Sequence, residues 1–594
     1  MRLFFLFIRA VVRHPLRSLS ALFWWLLGKK LRARNRFGIL VDDEQRRYEK
    51  WLAAKAGLDD DARRTVAERV AHLSGNTNIL ILCRLSAENK PAQVAATVAS
   101  LKAQLYPNWT LLFVGDGAET YLDADEHRLH AAPGGAKGQE ACLKAMRKAA
   151  YVGWMRPGDS LDEEALCAFM ATLGDDRPAL IYSDEDQINA RGVRRFAHFK
   201  PGWNFELLLA CDYVGGLSLM RADLLKGEAV SDDVASWQGR YHALIQVGAP
   251  LKSEQVRHVS DVLYQRYVPR FLRADAVRPS SSGVAHEAVL QAYCQREGLQ
   301  ADIERDTFGH VRLRRDVAEP KPLVSLIVPT RDMLRLTRKC VRSILEKTTY
   351  ENFELLIVDN DSEKTATLAF FDKVVRQPKV RVIKYPGVFN YSAINNFAVG
   401  HARGDYIGLI NNDTEVITPE WLDELMAQAV RPEAGAVGAK LLYADGRIQH
   451  AGVYTGMGRL AGHGHRFLKN DAPGYFYRAH LSQFVSAVTG ACLIVEKEKF
   501  QAVGGLDADE LCVAFNDVDL CLKLQDAGYH NIYVPHAVLY HYESKSRGKD
   551  LKGEKRARYL REAAVLQQRW GTHLAPDRYF NRNLSTQRED FTLS

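Results

Sequence analysis

The sequence predicts an α/β protein that contains two copies of one strand–helix unit. Short apolar segments alternate with helical stretches, as in layered folds with a largely parallel sheet. The copies align at residues 151–155, Tyr-Val-Gly-Trp-Met, and residues 406–410, Tyr-Ile-Gly-Leu-Ile. The first continues as Arg156-Pro157-Gly158-Asp159, and the second as Asn411-Asn412-Asp413-Thr414-Glu415. The depleted first copy predicts one working site and one retained scaffold.

Apolar periodicity places similar elements in each copy. The first copy begins near Asn78, and its fourth strand is predicted to end before Asp184-Glu185-Asp186. Its strands are predicted at 79–82, 111–114, 151–155 and 180–183, and its helices at 94–104 and 140–150. In the second copy, strands are predicted at 324–328, 354–358, 406–410, 493–495, 532–534 and 537–540, and helices at 336–347 and 393–402.

Length and composition indicate a multidomain globular protein. The 594 residues are 47% hydrophobic and 26% charged, which is ordinary for such proteins. A charged helical connector is expected at 42–72, a helix at 287–297 and a helical tail at 556–568. The expected divisions are 1–72, a basic amphipathic segment and connector; 73–270, the depleted copy; 271–320, a linker region; 321–548, the intact copy; and 549–594, a C-terminal helix and tail.

Positive charge is concentrated at the N-terminus. The net charge is +8, but residues 1–36 contain nine Lys and Arg and no acid, so the remainder sums to about −1 (8 minus 9). The body of the chain is therefore not a general polyanion binder, and no nucleic-acid partner is expected. Nine cysteines without a Cys-x-x-Cys pair argue against structural zinc and a disulfide framework, and favour the reducing cytoplasm.

The N-terminal 36 residues are apolar as well as basic. Their apolar runs, Leu3–Ile8 and Leu19–Leu27, are separated by arginines and by Pro15. Neither approaches the ~20 residues that span a bilayer, and no signal-peptide cleavage site is evident. The pattern predicts an interfacial anchor on the inner face of the plasma membrane. The alternative is a helix that packs on the body of the protein.

Polar residues follow three strands of the second copy. They are Pro329-Thr330-Arg331-Asp332, Asp359-Asn360-Asp361-Ser362 and Asn411-Asn412-Asp413. The carboxyl ends of parallel strands share one edge of a sheet, so these segments should converge on one crevice. Neither a dinucleotide fingerprint nor a Walker loop is present. A carboxylate such as Asp413 suits a divalent cation that screens a diphosphate. For any one aspartate, a helix cap is the alternative.

Two more candidates lie further along the chain. Asp517 falls in the first turn of a predicted helix, where it can cap the helix or face a cleft. His541 follows a strand-like run, and a structural histidine is the alternative there. Substrate specificity should depend on the shape of the region 440–490. The candidate residues there are His450, His463, His465 and Arg478, and each is equally consistent with a structural role.

Several of these segments resemble family 2 glycosyltransferases, which are inverting enzymes of the GT-A fold. The subgroup is similar to two-domain bacterial rhamnosyltransferase-like proteins and O-antigen or surface-polysaccharide transferases. The resemblance covers about 78–548 and extends to 577–585. Its segments are 324–332, 358–362, 411–416, 489–492, 516–521 and 541–548.

The resemblance implies two tandem GT-A domains with an N-terminal amphipathic segment and a helical C-terminal tail. Asp517 matches the family's general base, and Asp413 matches the last aspartate of its Asp-x-Asp motif, which binds Mg²⁺ or Mn²⁺. His541 matches a histidine that completes the metal site in some relatives. The first two positions of that motif are Asn411 and Asn412, which implies weaker metal binding, and Asn516 replaces the glutamate beside the base, so no helper role is implied there. The donor-binding candidates are Pro329, Thr330, Asp332, Asp359, Asn396, Asn412 and Arg547.

The resemblance also implies the reaction. A sugar would move from a nucleotide-diphosphate donor to a glycan or lipid-linked acceptor in bacterial surface-polysaccharide synthesis. In the first copy, Gly115 aligns with Asp359 and Gly158 with Asp413, and Gln238–His242 lacks the base. That copy is therefore expected to be non-catalytic, with a second active transferase as the alternative. A non-enzymatic glycan-binding or assembly protein and a nucleotidyltransferase are further alternatives.

Overall fold

The computed structural model describes residues 15–26, 33, 44–55, 64–65, 77–174, 176–271, 285–542 and 553–594. They form a mixed α/β protein with one nine-stranded and one ten-stranded sheet. The first sheet contains β1 (Ile79–Arg84), β2 (Trp109–Val114), β3 (Leu129–Ala132), β4 (Tyr151–Trp154), β5 (Ser160–Leu161), β6 (Leu180–Ile188), β7 (Arg194–His198), β8 (Ser218–Arg221) and β9 (Val256–Tyr267).

A two-stranded hairpin separates the two sheets. It consists of β10 (Ala301–Arg305) and β11 (Val311–Arg315), and a further small pair is formed by β19 (Val453–Thr455) and β20 (Ala461–His463). The second large sheet contains β12 (Val324–Thr330), β13 (Phe353–Asp359), β14 (Val380–Lys384), β15 (Tyr406–Ile410), β16 (Thr414–Val416), β17 (Ala434–Leu442), β18 (Ile448–His450), β21 (Gln483–Val485), β22 (Cys492–Glu496) and β23 (His530–His541).

Helices cover the sheets and connect their strands. Before the hairpin they are α1 (Pro15–Leu26), α2 (Glu44–Lys55), α3 (Pro91–Lys102), α4 (Gly135–Met146), α5 (Ala165–Met170), α6 (Phe205–Ala210), α7 (Trp237–Gly248) and α8 (Ala285–Glu297). After it they are α9 (Leu334–Lys347), α10 (Thr365–Val374), α11 (Tyr391–His401), α12 (Trp421–Ala429), α13 (Lys497–Ala502), α14 (Asn516–Asp526) and α15 (Gly553–Leu574).

The two large sheets have the same strand order. The first runs β3-β2-β1-β4-β8-β6-β9-β5 and the second runs β14-β13-β12-β15-β22-β17-β23-β16. Each strand of the first path has a counterpart at the same place in the second. Val324 pairs with Phe353 and Tyr406, just as Ile79 pairs with Trp109 and Tyr151. The duplicated strand unit expected from the sequence is therefore present in the fold.

Strand direction agrees with the expectation of a largely parallel sheet except at two strands of each path. Six strands of each path run in one direction, but β8 and β5 in the first sheet, and β22 and β16 in the second, run antiparallel to their neighbours. The sheets are therefore mixed. Every residue of β12 and β13 is buried, which explains their continuous apolar sequence. Such a run predicts a buried strand but not its direction.

Two predicted strand boundaries are also corrected. Asp184, Glu185 and Asp186 lie inside β6 rather than beyond it. They are tolerated there because cations meet them, as in the ion pair of Glu185 with Lys200 at 3.1 Å. The predicted strands 532–534 and 537–540 form one strand, β23, with a register shift opposite Ala439 and Lys440.

The terminal segments are described only in part. No helix in the described part of the chain is both long enough and apolar enough to cross a membrane. Most of residues 1–36 and the candidate Arg547 lie outside the described residues, so association with a membrane stays a prediction. The C-terminal helix expected near 556–568 is confirmed as α15.

Side chains at the start of α6 connect the first unit to the second. Asn204, which caps α6, donates to the Phe484 carbonyl at 2.9 Å and accepts from the Phe484 N–H at 3.0 Å. The buried carboxylate of Glu206 accepts from Arg431 at 2.6 Å and pairs with Arg315 at 3.4 Å. Burial alone would raise the pKa of Glu206, but the two guanidinium groups lower it to about 2. The first unit is thus held to the second by buried polar contacts.

Replacement of Glu206 by Ala should destabilise the whole chain. It leaves two mostly buried guanidinium groups without this carboxylate, at a cost of about 3–5 kcal/mol in the free energy of unfolding. The folded pKa lies below the ordinary 4.5, so this contribution is present above pH ~4.5 and disappears as pH falls towards ~2. Urea unfolding at pH 7 and pH 3 measures both effects.

Glu433→Ala is the matched control for Glu206→Ala. Glu433 pairs with the same Arg431 at 2.7 Å, but its side chain is 46% exposed. We expect a cost of at most about 1 kcal/mol for this variant. Equal destabilisation by the two variants would contradict a buried charge network between the halves.

Candidate active site

A cleft of about 750 Å³ lies at the carboxyl ends of β12, β13 and β15 and beside the start of α14. Its walls come from every strand-end segment that the sequence singled out, and from α14 and α15. The sequence candidates among its lining residues are Pro329, Thr330, Asp332, Asn412, Asp413, His463, Asp517 and His541.

The floor of the cleft is a set of short polar side chains. Thr330 is the last residue of β12, and its Oγ1 lies 2.7 Å from Oγ1 of Thr337. The Asn412 amide donates to Thr330 Oγ1 at 2.9 Å. An aspartate at this position could not donate to that hydroxyl. Asn412 therefore links the ends of β12 and β15.

Two aspartates shape the loops of one wall. Asp332 has a positive φ of 53°, and its Oδ1 accepts from the backbone N–H groups of Glu363 and Lys364, at 3.2 and 2.9 Å. Asp359 Oδ1 accepts from the Ser362 N–H at 3.0 Å, and this carboxylate is buried. Asp332 lines the cleft, whereas Asp359 does not.

Asn360 reaches the cleft where Asp359 does not. Its amide nitrogen donates to the carbonyls of Tyr385 and Gly387. Among the described residues its buried Oδ1 has no hydrogen-bond partner, although a buried acceptor usually has one. Asn360 is not among the donor-binding residues expected from the sequence.

Asp413 and His541 come together because their strands pair. Thr414 on β16 is the partner of His541 on β23. His541 Nε2 lies 3.3 Å from Asp413 Oδ1, and its Nδ1 lies 3.3 Å from Gln449 Oε1. The backbone carbonyl of Asp413 accepts from the Tyr542 N–H at 2.9 Å. A carboxylate oxygen and an imidazole nitrogen thus face the same part of the cleft.

Asp517 lies in the first turn of α14, as the sequence predicts. The preceding Phe515 has a positive φ of 61°, which turns the chain into the helix. Asp517 Oδ2 accepts from the Gly490 N–H at 2.9 Å, and Oδ1 from the Val518 N–H at 2.9 Å. Burial raises the pKa of Asp517, while these N–H groups oppose the increase. The carboxyl is partly exposed and lines the cleft.

Asn396 is placed elsewhere. It lies on α11, where its amide donates to the Leu506 carbonyl at 2.7 Å and its oxygen accepts from the Leu506 N–H at 3.0 Å. Both ends of the side chain hold a loop, and Asn396 does not line the cleft. Asn396 lies on the helix that precedes β15, and nothing in the local sequence indicates its hydrogen bonds with the Leu506 backbone.

The specificity candidates divide into two groups. His463 lines the cleft, and its Nδ1 lies 2.9 Å from Nδ1 of the buried His450. His465 stacks on Phe591, with ring centroids 4.4 Å apart. The buried Arg478 donates to Gln483 at 2.8 Å. His465 and Arg478 are thus packing residues.

The C-terminal helix α15 also contributes to the cleft, which the sequence did not indicate. Lys555 and Arg558 line it. The buried Glu562 accepts from the backbone N–H groups of Val513 and Ala514, at 3.2 and 2.7 Å. These contacts connect residues about 50 positions apart, so local sequence patterns carry no signal of them.

In the first unit, side chains pack closely around Gly158 and Asp159, which follow β4. The Tyr267 ring packs on Gly158, so a Cβ at this position would lie 3.0 Å from the ring. Arg156 lies over the Trp237 ring at 4.0 Å. Asp159 is buried, accepts from the Tyr264 hydroxyl and the Tyr267 N–H, and has a pKa raised to about 6 by burial. Arg84 and Val114 at the ends of β1 and β2, together with Asp233 before α7, line a cavity of about 170 Å³, which is smaller than the cleft of the second unit.

Comparison with known proteins gives one family match and several relatives. Residues 325–504 match the family Glycosyl transferase family 2. The chain is 39% identical over 521 residues to an uncharacterized protein of Sinorhizobium fredii, covering 85% of this chain and 57% of the relative. It is 32% identical over 521 residues to the O-antigen biosynthesis protein RfbC of Myxococcus xanthus, covering 85% and 40%.

A shorter relative matches one third of the chain. It is the N-acetylglucosaminyl-diphospho-decaprenol L-rhamnosyltransferase of Mycobacterium tuberculosis, 28% identical over 216 residues, with 33% of this chain and 68% of the relative covered. The chain spans about half the length of the two longer relatives. The residues that build the cleft floor and the Asp413 wall fall within the family match, and the chain contains a family 2 glycosyltransferase domain over residues 325–504.

Proposed function

We propose that the chain is an inverting glycosyltransferase. It moves a sugar from a nucleotide-diphosphate donor to a glycan or lipid-linked acceptor in bacterial surface-polysaccharide synthesis. The observation that carries the proposal is one cleft lined by both Asp517 and the Asp413–His541 pair. The names of the relatives, O-antigen biosynthesis protein and rhamnosyltransferase, support the substrate class.

A divalent cation, Mg²⁺ or Mn²⁺, fits the residues at Asp413. The carboxylate of Asp413 and the imidazole of His541 lie 3.3 Å apart, and the carboxylate is a donor that suits Mg²⁺ and Mn²⁺. Within the described residues no group of three or more His, Cys, Asp and Glu could hold a metal ion, so the donor diphosphate and water would complete the shell. When bound, the cation would stabilise negative charge on the leaving nucleoside diphosphate.

Asp517 acts as the general base in this proposal. Its carboxylate accepts the proton of the acceptor hydroxyl as that oxygen attacks the anomeric carbon. The Gly490 and Val518 N–H groups fix the direction of the carboxylate. Burial raises its pKa, which makes it a better proton acceptor than an ordinary aspartate. One base and one displacement invert the anomeric configuration.

The strand-end residues hold the donor. Pro329, Thr330 and Asn412 form the floor, and Asp332 and Asn360 form the wall beside it. The buried Asn360 oxygen, which has no partner in the described part of the chain, offers an acceptor to a base or ribose N–H or O–H group. Asp359 contributes indirectly, because it fixes the loop at Ser362.

The first unit is proposed to be a non-catalytic scaffold. Gly158, which aligns with Asp413, carries no carboxylate and is covered by the Tyr267 ring, and Glu206 fixes the unit to the second one. We further propose that the enzyme is cytoplasmic and peripheral, with residues 1–36 on the inner face of the plasma membrane. The basic and apolar composition of that segment supports this placement.

A donor screen tests the activity. The full chain is incubated with UDP-, GDP- and dTDP-sugars, with and without Mn²⁺, and release of the nucleoside diphosphate is measured. We expect release from at least one donor, stimulated by Mn²⁺. No release from any donor would instead support a non-catalytic glycan-binding or assembly protein.

A further inference from the structure

We propose that His463 is a sugar-binding residue whose ring Nε2–H donates to a hydroxyl group of the transferred sugar. The inference rests on the proposed glycosyltransferase function and assigns one specificity contact to it. It is carried by the geometry of a histidine pair, in which Nδ1 of His463 lies 2.9 Å from Nδ1 of His450. His463 lines the cleft and is partly exposed, whereas His450 is buried.

A single proton lies between the two rings. Two Nδ1 atoms at 2.9 Å form a hydrogen bond only if one carries a proton and the other presents its lone pair. Burial lowers the pKa of both histidines below the ordinary value of 6.5, so both rings are neutral at pH 7. A neutral imidazole carries one proton. The ring that donates through Nδ1 therefore has a bare Nε2, and the other ring is protonated at Nε2.

The surroundings of His450 decide which ring donates. Within the described part of the chain, its buried Nε2 has no hydrogen-bond partner. Among buried backbone groups, an N–H without an acceptor is rarer than an acceptor without a donor, and the same preference leaves the lone pair rather than the proton on this nitrogen. His450 thus carries its proton on Nδ1 and donates to His463. His463 in turn carries its proton on Nε2, the nitrogen that His450 does not contact.

Neighbouring contacts place His463 beside the transferred sugar. Gln449 precedes His450 on β18 and lines the cleft, and its Oε1 lies 3.3 Å from Nδ1 of His541. The histidine pair therefore adjoins the wall of Asp413 and His541, to which the donor diphosphate is assigned. The sugar is bonded to that diphosphate and must also face the proposed base, so it occupies this part of the cleft.

A sugar hydroxyl fits a neutral N–H donor. Its oxygen has lone pairs that accept from a ring N–H, whereas a neutral imidazole lacks the charge that strengthens hydrogen bonds to phosphate. A site that provides such a donor disfavours a sugar without an oxygen at the matching position, because the donor then loses its partner. We therefore expect His463 to discriminate among donor sugars and to leave the affinity for the nucleotide unchanged.

NMR of the full chain labelled with ¹⁵N-histidine measures the tautomer at pH 7 without relying on activity. Two-bond correlations between the carbon-bound ring protons and the ring nitrogens distinguish the Nδ1–H form from the Nε2–H form. The His463→Asn variant identifies the signals of His463 by their disappearance. We expect His463 to be protonated at Nε2. Protonation of this ring at Nδ1 would refute the proposal.

Two variants separate the contact with the sugar from the contact with His450. In His463→Gln the amide nitrogen reaches the position of Nε2, whereas in His463→Asn it reaches only that of Nδ1. Calorimetry with Mn²⁺ and without acceptor compares UDP-glucose, UDP-N-acetylglucosamine, GDP-mannose and dTDP-rhamnose with UDP, GDP and dTDP.

The expected losses follow from one hydrogen bond. For the nucleotide sugar that the wild type binds most tightly, His463→Asn should weaken binding about five- to ten-fold and His463→Gln less than about two-fold. Binding of the matching nucleoside diphosphate should be unchanged in both variants. His401→Asn is the matched control, because His401 is exposed at the end of α11 and does not line the cleft. It should leave every affinity unchanged.

Two binding results would overturn the proposal. One is equal affinity of the wild type and His463→Asn for the nucleotide sugar. The other is an equal loss for the nucleotide sugar and its nucleoside diphosphate, which would assign the contact to the nucleotide. A wild type that binds neither kind of ligand would contradict the glycosyltransferase function and the sugar contact with it, while the NMR measurement would still decide the tautomer.

Discussion

Replacement of Asp517 by Asn is expected to lower kcat by about 10²–10⁴-fold, the range for loss of a general base. The amide keeps the size of the side chain and can still accept from Gly490, so the fold and donor binding should survive. Only proton transfer from the acceptor hydroxyl is lost. Steady-state kinetics with the donor found by the screen measure kcat, and calorimetry with the nucleoside diphosphate measures binding.

The pH profile separates a base from a structural aspartate. Burial raises the pKa of Asp517 above its ordinary value of 3.8, and only the ionised form accepts a proton. The wild-type rate should therefore fall as pH decreases through this raised pKa, at a higher pH than an ordinary aspartate would give. The residual activity of Asp517→Asn should lack this acidic limb.

Asp526→Asn serves as the control for Asp517→Asn. Asp526 ends the same helix and is exposed, so its replacement should change kcat less than two-fold. An Asp517→Asn enzyme with wild-type kcat and an unchanged acidic limb would rule out Asp517 as the base.

Asp413→Ala should abolish the stimulation by Mn²⁺. Changes to residues that merely support metal ligands cost about 10–100-fold in metal affinity, so loss of a direct ligand should cost about 100-fold or more. His541 alone cannot replace the negative charge that the carboxylate supplies. A Mn²⁺ titration of nucleotide binding, in wild type and variant, measures the effect independently of turnover.

Glu415→Gln is the matched control for Asp413→Ala. Glu415 lies two residues away and is engaged with Lys339 at 2.7 Å and with the Tyr542 hydroxyl at 2.6 Å. It does not line the cleft. We expect the Mn²⁺ response of this variant to match that of the wild type, and an unaltered Mn²⁺ response in Asp413→Ala would exclude this metal site.

Much of the cleft could be predicted from the sequence, because strand order determines where strand ends meet. Thr330, Asn412 and Asp413 follow short buried strands, and parallel pairing brings them to one edge. His541 joins them because β23 pairs with β16. The sequence does not predict that β8 and β22 run antiparallel to their neighbours, because a buried strand has the same apolar pattern in either direction.

Contacts between distant segments were beyond sequence reasoning. Lys555 and Arg558 reach the cleft because Glu562 docks on residues 513–514, and no local pattern encodes that docking. Asn396 was a reasonable donor candidate on a helix near the site, but it binds the Leu506 backbone instead. In the first unit, Gly158 rather than Asp159 aligns with Asp413, and Asp159 is buried against Tyr264 and Tyr267.

The most direct test compares equivalent carboxylates of the two units. Asp413→Ala and Asp159→Asn are assayed side by side in the full chain for Mn²⁺-stimulated release of nucleoside diphosphate. The second change conserves size because Asp159 is buried. We predict that release disappears in the Asp413 variant and persists in the Asp159 variant. Persistence in the Asp413 variant with loss in a folded Asp159 variant would contradict the placement of the active site.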